Sequence, residues 1–158
     1  MRTTLTLAII TLVASTAGCG MLNRSSGTEI STGGETRNSW TATLATPSTL
    51  AGAVQLHGTA SWTRDGNDSK VVVSISNATP GGQHPWHIHS GRCGNNGPIV
   101  GNAGAYKPLA VNGDGNAHEN ASLAVALPYT DDYYVNVHAA ADNMGTIVAC
   151  GNLAPPVR

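Results

Sequence analysis

The chain has 158 residues, of which only 11% are charged, with eight Lys+Arg against nine Asp+Glu and a formal net charge of −1. No basic cluster occurs along it, which excludes a nucleic-acid surface built on phosphate neutralisation. A nucleophile elbow and a phosphate-binding glycine loop ahead of a helix are both missing, so hydrolase and nucleotide-binding chemistry lack their signatures.

Arg2 precedes an apolar run from Leu5 to Ala14, and Ser15-Thr16-Ala17-Gly18-Cys19 follows. A basic start, a short apolar stretch and small residues before a cleavage point predict a secretory signal. The run falls short of the roughly 20 apolar residues a spanning helix needs. Small residues directly before a cysteine resemble a bacterial lipobox, which implies a lipid on Cys19 and a membrane anchor. An ordinary signal peptide, with Cys19 discarded or left free, is the alternative. Gly20 and Met21 follow with no Asp, a pattern that resembles outer-membrane sorting in a host with two membranes. The expected location is therefore the cell envelope, on the periplasmic face of the outer membrane or otherwise extracytoplasmic. Residues 19–38 are rich in Ser, Thr, Gly and Asn and too poor in apolar side chains to offset their ordering entropy. They are expected to form a flexible tether. The chain thus divides into a signal at 1–18, a tether at 19–38 and one globular domain at 39–158. Loss of Arg2 with the signal leaves seven basic residues against nine acidic, a formal charge of −2.

After residue 38 no helical repeat competes with period-two alternation. Val54, Leu56, Ala60 and Trp62 fall on one face of a predicted strand, with Gln55, His57, Thr59 and Ser61 on the other. Arg64-Asp65-Gly66-Asn67 is turn chemistry, with Gly66 free to take positive φ. Val71, Val73 and Ile75 then alternate with Val72, Ser74 and Ser76, and the run Asn77 to Gly82 ends that strand. A short strand carries Trp86 to His89. Residues 90–105, with five glycines and one proline, read as a loop. Leu109–Asn112, Gly113-Asp114-Gly115 and Ala117–Leu123 read as a hairpin around a glycine turn. Strands at Asp132–Ala139 and Thr146–Gly151 complete the set. About eight short antiparallel strands at this spacing predict an all-β Greek-key barrel or sandwich.

Alternation also places the histidines. Residues two apart on a strand share a face, so His87 and His89 stand side by side while Ile88 turns into the core. On the later strand Tyr133, Val135 and Val137 share one face, and Tyr134, Asn136 and His138 the other. With the valines inward, all three imidazoles are expected on the outer surface, open to small solutes. Taken singly they would be surface histidines. Together, three neutral imidazoles with an open position suit copper or zinc. Ring nitrogens within about 3–4 Å of one another could share an ion at about 2.0–2.1 Å. Cys93 and Cys150 remain to each other, and in an exported protein the default is a disulfide. It would pin the loop beside His89, or simply staple the fold.

Several of these residues carry a resemblance. Gly58-Thr59-Ala60-Ser61-Trp62, Thr79-Pro80-Gly81-Gly82-Gln83-His84, Trp86-His87-Ile88-His89 and Ala149-Cys150-Gly151 look like the copper/zinc superoxide dismutase family. The resemblance implies copper ligands at His87, His89 and His138, a Cys93–Cys150 bridge, and a fold-supporting role for His84. His87-Ile88-His89-Ser90-Gly91, Asn96-Gly97-Pro98-Ile99-Val100 and Tyr134-Val135-Asn136-Val137-His138 are also similar to the chordin-type (CHRD) domain of exported bacterial proteins. Together the two likenesses span about residues 50–153.

The pattern departs from the dismutases where their zinc is held. Ile99 follows Gly97-Pro98, where the family has its bridging histidine. No histidine lies between His89 and His118, and Asp114 falls in a turn. The family's active-site arginine, three residues before the second bridging cysteine, is replaced by Ile147. The implied cofactor is therefore copper, without a zinc site. His118 is an accessory candidate if its hairpin folds toward the centre, and Arg92 is one if it guides an anion. No catalytic residue is assigned. A slightly acidic domain without the arginine would draw superoxide weakly. Three functions compete: a copper-binding lipoprotein with weak superoxide dismutation, a non-catalytic copper buffer or delivery protein, and a metal-free CHRD-type adhesion or scaffold module.

Overall fold

In a computed structural model of the chain, the described residues are 39–155, apart from Ala51, Ala53 and Val54. The signal, the tether, Cys19 and Val54 therefore lie outside the described residues. Nine strands and two 3-10 turns make up the regular structure, with no α-helix among the described residues. The strands are β1 (Ser39–Ala45), β2 (His57–Asp65), β3 (Asp68–Ser76), β4 (Gln83–His84), β5 (Trp86–Ser90), β6 (Leu109–Ala110), β7 (Ala117–Leu123), β8 (Tyr133–Ala140) and β9 (Asn143–Leu153).

Seven strands form one antiparallel sheet in the order β5-β8-β9-β1-β2-β3-β7, and β4 pairs with β6. The β1–β2–β3 meander is local. The β3–β7 and β5–β8 pairings are made through long connections, as in a Greek key. Both ends of the sheet feed one hydrophobic core. Trp40, Leu44, Trp62, Val71 and Val73 meet Trp86, Ile88, Val135 and Val137 in a single cluster, so the sheet curls upon itself. At one end of that core Tyr133 meets Trp40 and Trp62 edge-on, with ring centroids 5.4 and 5.2 Å away. The buried indole of Trp40 donates from Nε1 to the Pro128 carbonyl at 2.8 Å, which satisfies its polar end.

The all-β antiparallel architecture is the one the alternation predicts, and three details differ. First, β2 starts at His57, not near Val54, because Leu56 N is taken by Thr46 Oγ1 at 2.8 Å. Second, Leu109–Ala110 pairs with Gln83–His84, while Ala117–Leu123 pairs with β3. The glycine turn is present, built on the Asn112 side chain, but the two arms go to different sheets. Third, β9 begins at Asn143, so Ala141-Asp142 makes a two-residue hairpin turn that carries no glycine signal. The β2–β3 turn matches expectation: Gly66 takes φ 62° between the paired Asp65 and Asp68. Positive φ at the first central position is what a II′ hairpin turn asks for.

Candidate metal centre

β5 and β8 lie side by side in the sheet, with His87 opposite Asn136 and His89 opposite Tyr134. His138 follows on β8, at a register irregularity: Val137 pairs with Ala149 but His138 pairs with Ile147, which leaves Val148 over. The extra residue is on β9, so the bulge bends that strand, while His138 keeps the outward face that Asn136 has. The three imidazoles converge. Their ring centroids are 5.5 Å apart for His87–His138, 5.8 Å for His87–His89 and 6.3 Å for His89–His138. One nitrogen from each ring lies within 4.8 Å of the others. His87 Nδ1 and His138 Nε2 are 3.4 Å apart, inside the expected window. The whole trio is somewhat wider. Two nitrogens sharing an ion at about 2.1 Å stand no more than about 4.2 Å apart, so the rings would close by a few tenths of an ångström.

The outward placement is right and the openness is not. His87 is only 8% exposed and His138 only 6%. Residues 98–100 of the loop after β5 pair along the free edge of that strand, through Ser90 N to Pro98 O and Val100 N to Ile88 O. The turn before them lies over this face, where Gly97 N donates to Tyr134 Oη at 3.2 Å and Tyr134 Oη donates to Asn95 O. Tyr106 sets its ring edge against His87 at 5.2 Å, and Tyr134 stacks on His89 at 5.2 Å. A glycine at position 97 is obligatory for this cover. A Cβ there would sit 1.7 Å from the Ser90 carbonyl oxygen. The bridge joins Cys93 to Cys150, with a Cα–Cα distance of 6.0 Å, and ties the same loop to β9. Beside it, Cys93 N donates to Asn152 Oδ1 at 2.8 Å.

Backbone carbonyls fix the rings. His89 donates from Nδ1 to Gly97 O at 2.8 Å, and His138 donates from Nδ1 to Met144 O at 2.6 Å. With Nδ1 protonated, each turns an Nε2 lone pair toward the hollow. His89 Nε2 is buried and has no hydrogen-bond partner. His87 Nδ1 faces His138 Nε2 at 3.4 Å, and a metal ion taking both nitrogens would hold His87 in its Nε2-protonated tautomer. Burial, reinforced by the neighbouring His138 and His89, pulls the His87 pKa down from 6.5 to about 4. Burial likewise lowers that of His138, against the opposing pull of its bond to Met144 and with His89 adding to the fall. His87 and His138 are thus favoured in the neutral form, the form that binds metal. Orienting hydrogen bonds on the far nitrogen of each ring are the usual support of metal-binding histidines. The donor set fits a copper or zinc ion.

The accessory candidates go elsewhere. His84 donates from Nδ1 to the His138 carbonyl at 3.0 Å and so braces the strand that carries His138. His118 lies on β7, at the opposite edge of the sheet from β5, exposed and 2.9 Å from Ser74 Oγ. It does not join the group, because its strand is recruited by β3. Arg92 is exposed and held by Asp132 in a two-point ion pair at 2.9 Å. Asn136 was given no role by the sequence reading. It is 7% exposed, on the same face as His138, and its Oδ1 is buried without a partner. Its position in the alternation of β8 was the one available signal. A cleft of about 600 Å³ adjoins it, lined among others by Thr49, Cys93, Asn95, Ile147 and Cys150, with no charged side chain in its wall.

No protein-family model matches the chain, and no curated protein matches it. Among solved structures it is similar to a Cu/Zn superoxide dismutase from Brucella abortus. The identity is 18%, over 72% of this chain and 97% of that one, with a TM-score of 0.47. Such a likeness concerns the course of the chain alone; the chemistry of the centre rests on its own residues.

Proposed function

We propose that the chain is an exported, lipid-anchored copper-binding protein of the cell envelope, holding the ion through His87, His89 and His138. One observation carries this reading: three imidazoles, two buried and one half-buried, gather within 4.8 Å, two of them oriented by backbone carbonyls. The motifs that resemble copper/zinc dismutases, without that family's zinc ligands, favour copper. The export signal and the lipid on Cys19 rest on the sequence of residues 1–19. Bound copper would supply one-electron chemistry between Cu(II) and Cu(I), with superoxide as the candidate reactant. The protein's own part is to favour the neutral form of His87 and His138 and to screen the rings from bulk water with the loop beside β5 and β8.

Turnover is expected to be weak. Superoxide is drawn in by positive potential, and here Arg92 is neutralised by Asp132 while Ile147 lines an uncharged cleft. These two observations favour copper buffering or delivery as the second reading. Titration with Cu(II) is expected to give one ion per chain, lost in His87→Ala and in His138→Ala. Unchanged binding in both variants would sink the three-histidine site, and no measurable uptake by the parent chain would leave a metal-free module. A superoxide assay on the loaded protein then separates slow dismutation from copper handling alone.

A further inference from the structure

Four buried side-chain polar atoms lack a hydrogen-bond partner among the described residues: Trp62 Nε1, His84 Nε2, His89 Nε2 and Asn136 Oδ1. Two of them, His89 Nε2 and Asn136 Oδ1, belong to the outer face of the β5–β8 pair. Both are acceptors. The nitrogen is bare because the His89 proton goes to Gly97 O, and an amide oxygen has only lone pairs to offer. His138 Nε2, unprotonated for the same reason, is a third acceptor on that face, with His87 Nδ1 3.4 Å away. Acceptors cannot satisfy one another. A buried carbonyl left unpaired is destabilising, so the patch calls for a cation or a donor.

Asn136 occupies the middle of this patch. It pairs directly with His87 across the ladder, lies diagonal to His89, and stands two residues from His138 on its own strand. Directly paired side chains have Cβ atoms about 4.5–5.5 Å apart. On its other flank it pairs with Cys150 of β9, so neither neighbouring strand gives its oxygen a hydrogen bond.

We infer that Asn136 is a fourth donor group of the metal centre, its Oδ1 completing the three imidazoles as a nitrogen-and-oxygen set. This inference rests on the histidine reading above and adds a consequence to it. An amide oxygen is a hard donor, which suits Cu(II) better than the softer Cu(I). Asn136 therefore biases the centre toward the oxidised ion.

The test compares Cu(II) and Cu(I) affinities of the full chain with those of Asn136→Leu and Asn136→Asp, alongside the electron paramagnetic resonance spectrum of the Cu(II) forms. Asn136→Leu is near in shape and removes the oxygen. It is expected to lower Cu(II) affinity about tenfold, in the range seen when groups supporting a metal are lost, and to leave Cu(I) affinity within about threefold. A tenfold change in that ratio raises the one-electron potential by about 59 mV. Asn136→Asp keeps an oxygen and adds charge, so its ratio should move the other way, with a changed spectrum in both variants. Equal losses for the two ions in Asn136→Leu, or a ratio and spectrum unchanged in Asn136→Asp, overturn the inference while the histidine site stands. If Asn136→Leu fails to fold, the Asp variant decides alone. Failure of the parent chain to take up Cu(II) overturns both.

Discussion

The two edges of the main sheet obey the same alternation and end in opposite chemistry. Along β2, β3 and β7, Ala60, Trp62, Val71, Val73, Ala117 and Ala121 point inward and are buried. Thr59, Ser61, Lys70, Ser74 and His118 point outward, and none of them is buried. Along β5 and β8 the inward set is again apolar, but the outward residues His87, Tyr134, Asn136 and His138 are buried too. The difference is a cover. The loop after β5 lies over one edge, while the outer face at the other meets water. Polar side chains on an open face are solvated and chemically quiet. Beneath a cover such side chains lose water: burial lowers the pKa of His87 and His138, and His89 Nε2 and Asn136 Oδ1 are left without partners. Ligand chemistry here comes from burial of a polar face, not from the presence of histidines as such: His57 and His118 occupy the open edge and form no cluster.

The cover can be loosened through its covalent tie. The Cys93–Cys150 bridge closes a loop of 57 residues, worth about 4 kcal/mol on the chain-entropy model. Cys93→Ser, or reduction, should therefore lower unfolding stability by roughly that amount, read by chemical denaturation, and should weaken copper binding through the freed loop. Intact copper affinity in the reduced protein would mean that the bridge staples the fold without organising the centre.

A smaller effect separates the edges by pH. The buried His87 stays neutral down to about pH 4, whereas the unfolded chain takes up its proton near 6.5. Between those values the unfolded state binds more protons. The stability contribution of the metal-free protein is then whole above about pH 6.5, falls as pH drops toward 4 and changes no further below it. The loss is on the order of 3 kcal/mol, and His138 adds to it in the same direction. Denaturation of metal-free protein across this window should show the slope, and His87→Leu should flatten it. A parallel curve in the variant would mean that His87 is not the group responsible.

The smallest effect is expected at the open edge. His118→Ala removes one exposed contact to Ser74, so stability should change by no more than about 0.5 kcal/mol, with copper stoichiometry unaltered. A loss of bound copper there would contradict the separation of the two edges.

Much of the fold was legible in the chain because it depends on local pattern. The alternation of Val71, Val73 and Ile75, the turn at Gly66 and the glycine-rich loop after Ser90 each follow from one residue's relation to its near neighbours. The His87–Ile88–His89 spacing fixed a shared face in the same way. Partner choice and burial depend on residues far apart in sequence, which local pattern does not constrain. So β7 joined β3 instead of β6, Val148 became an extra residue of β9 opposite the Val137–His138 step, and Ala141-Asp142 closed a hairpin without a turn signature. Above all, alternation could say that His87, Asn136 and His138 turn away from the core, and could not say that residues 90–106 would fold over them. That cover forms because Gly97 lets the loop approach Ser90 closely and Cys93 is tied to Cys150. These long-range contacts turn an outer face into an interior.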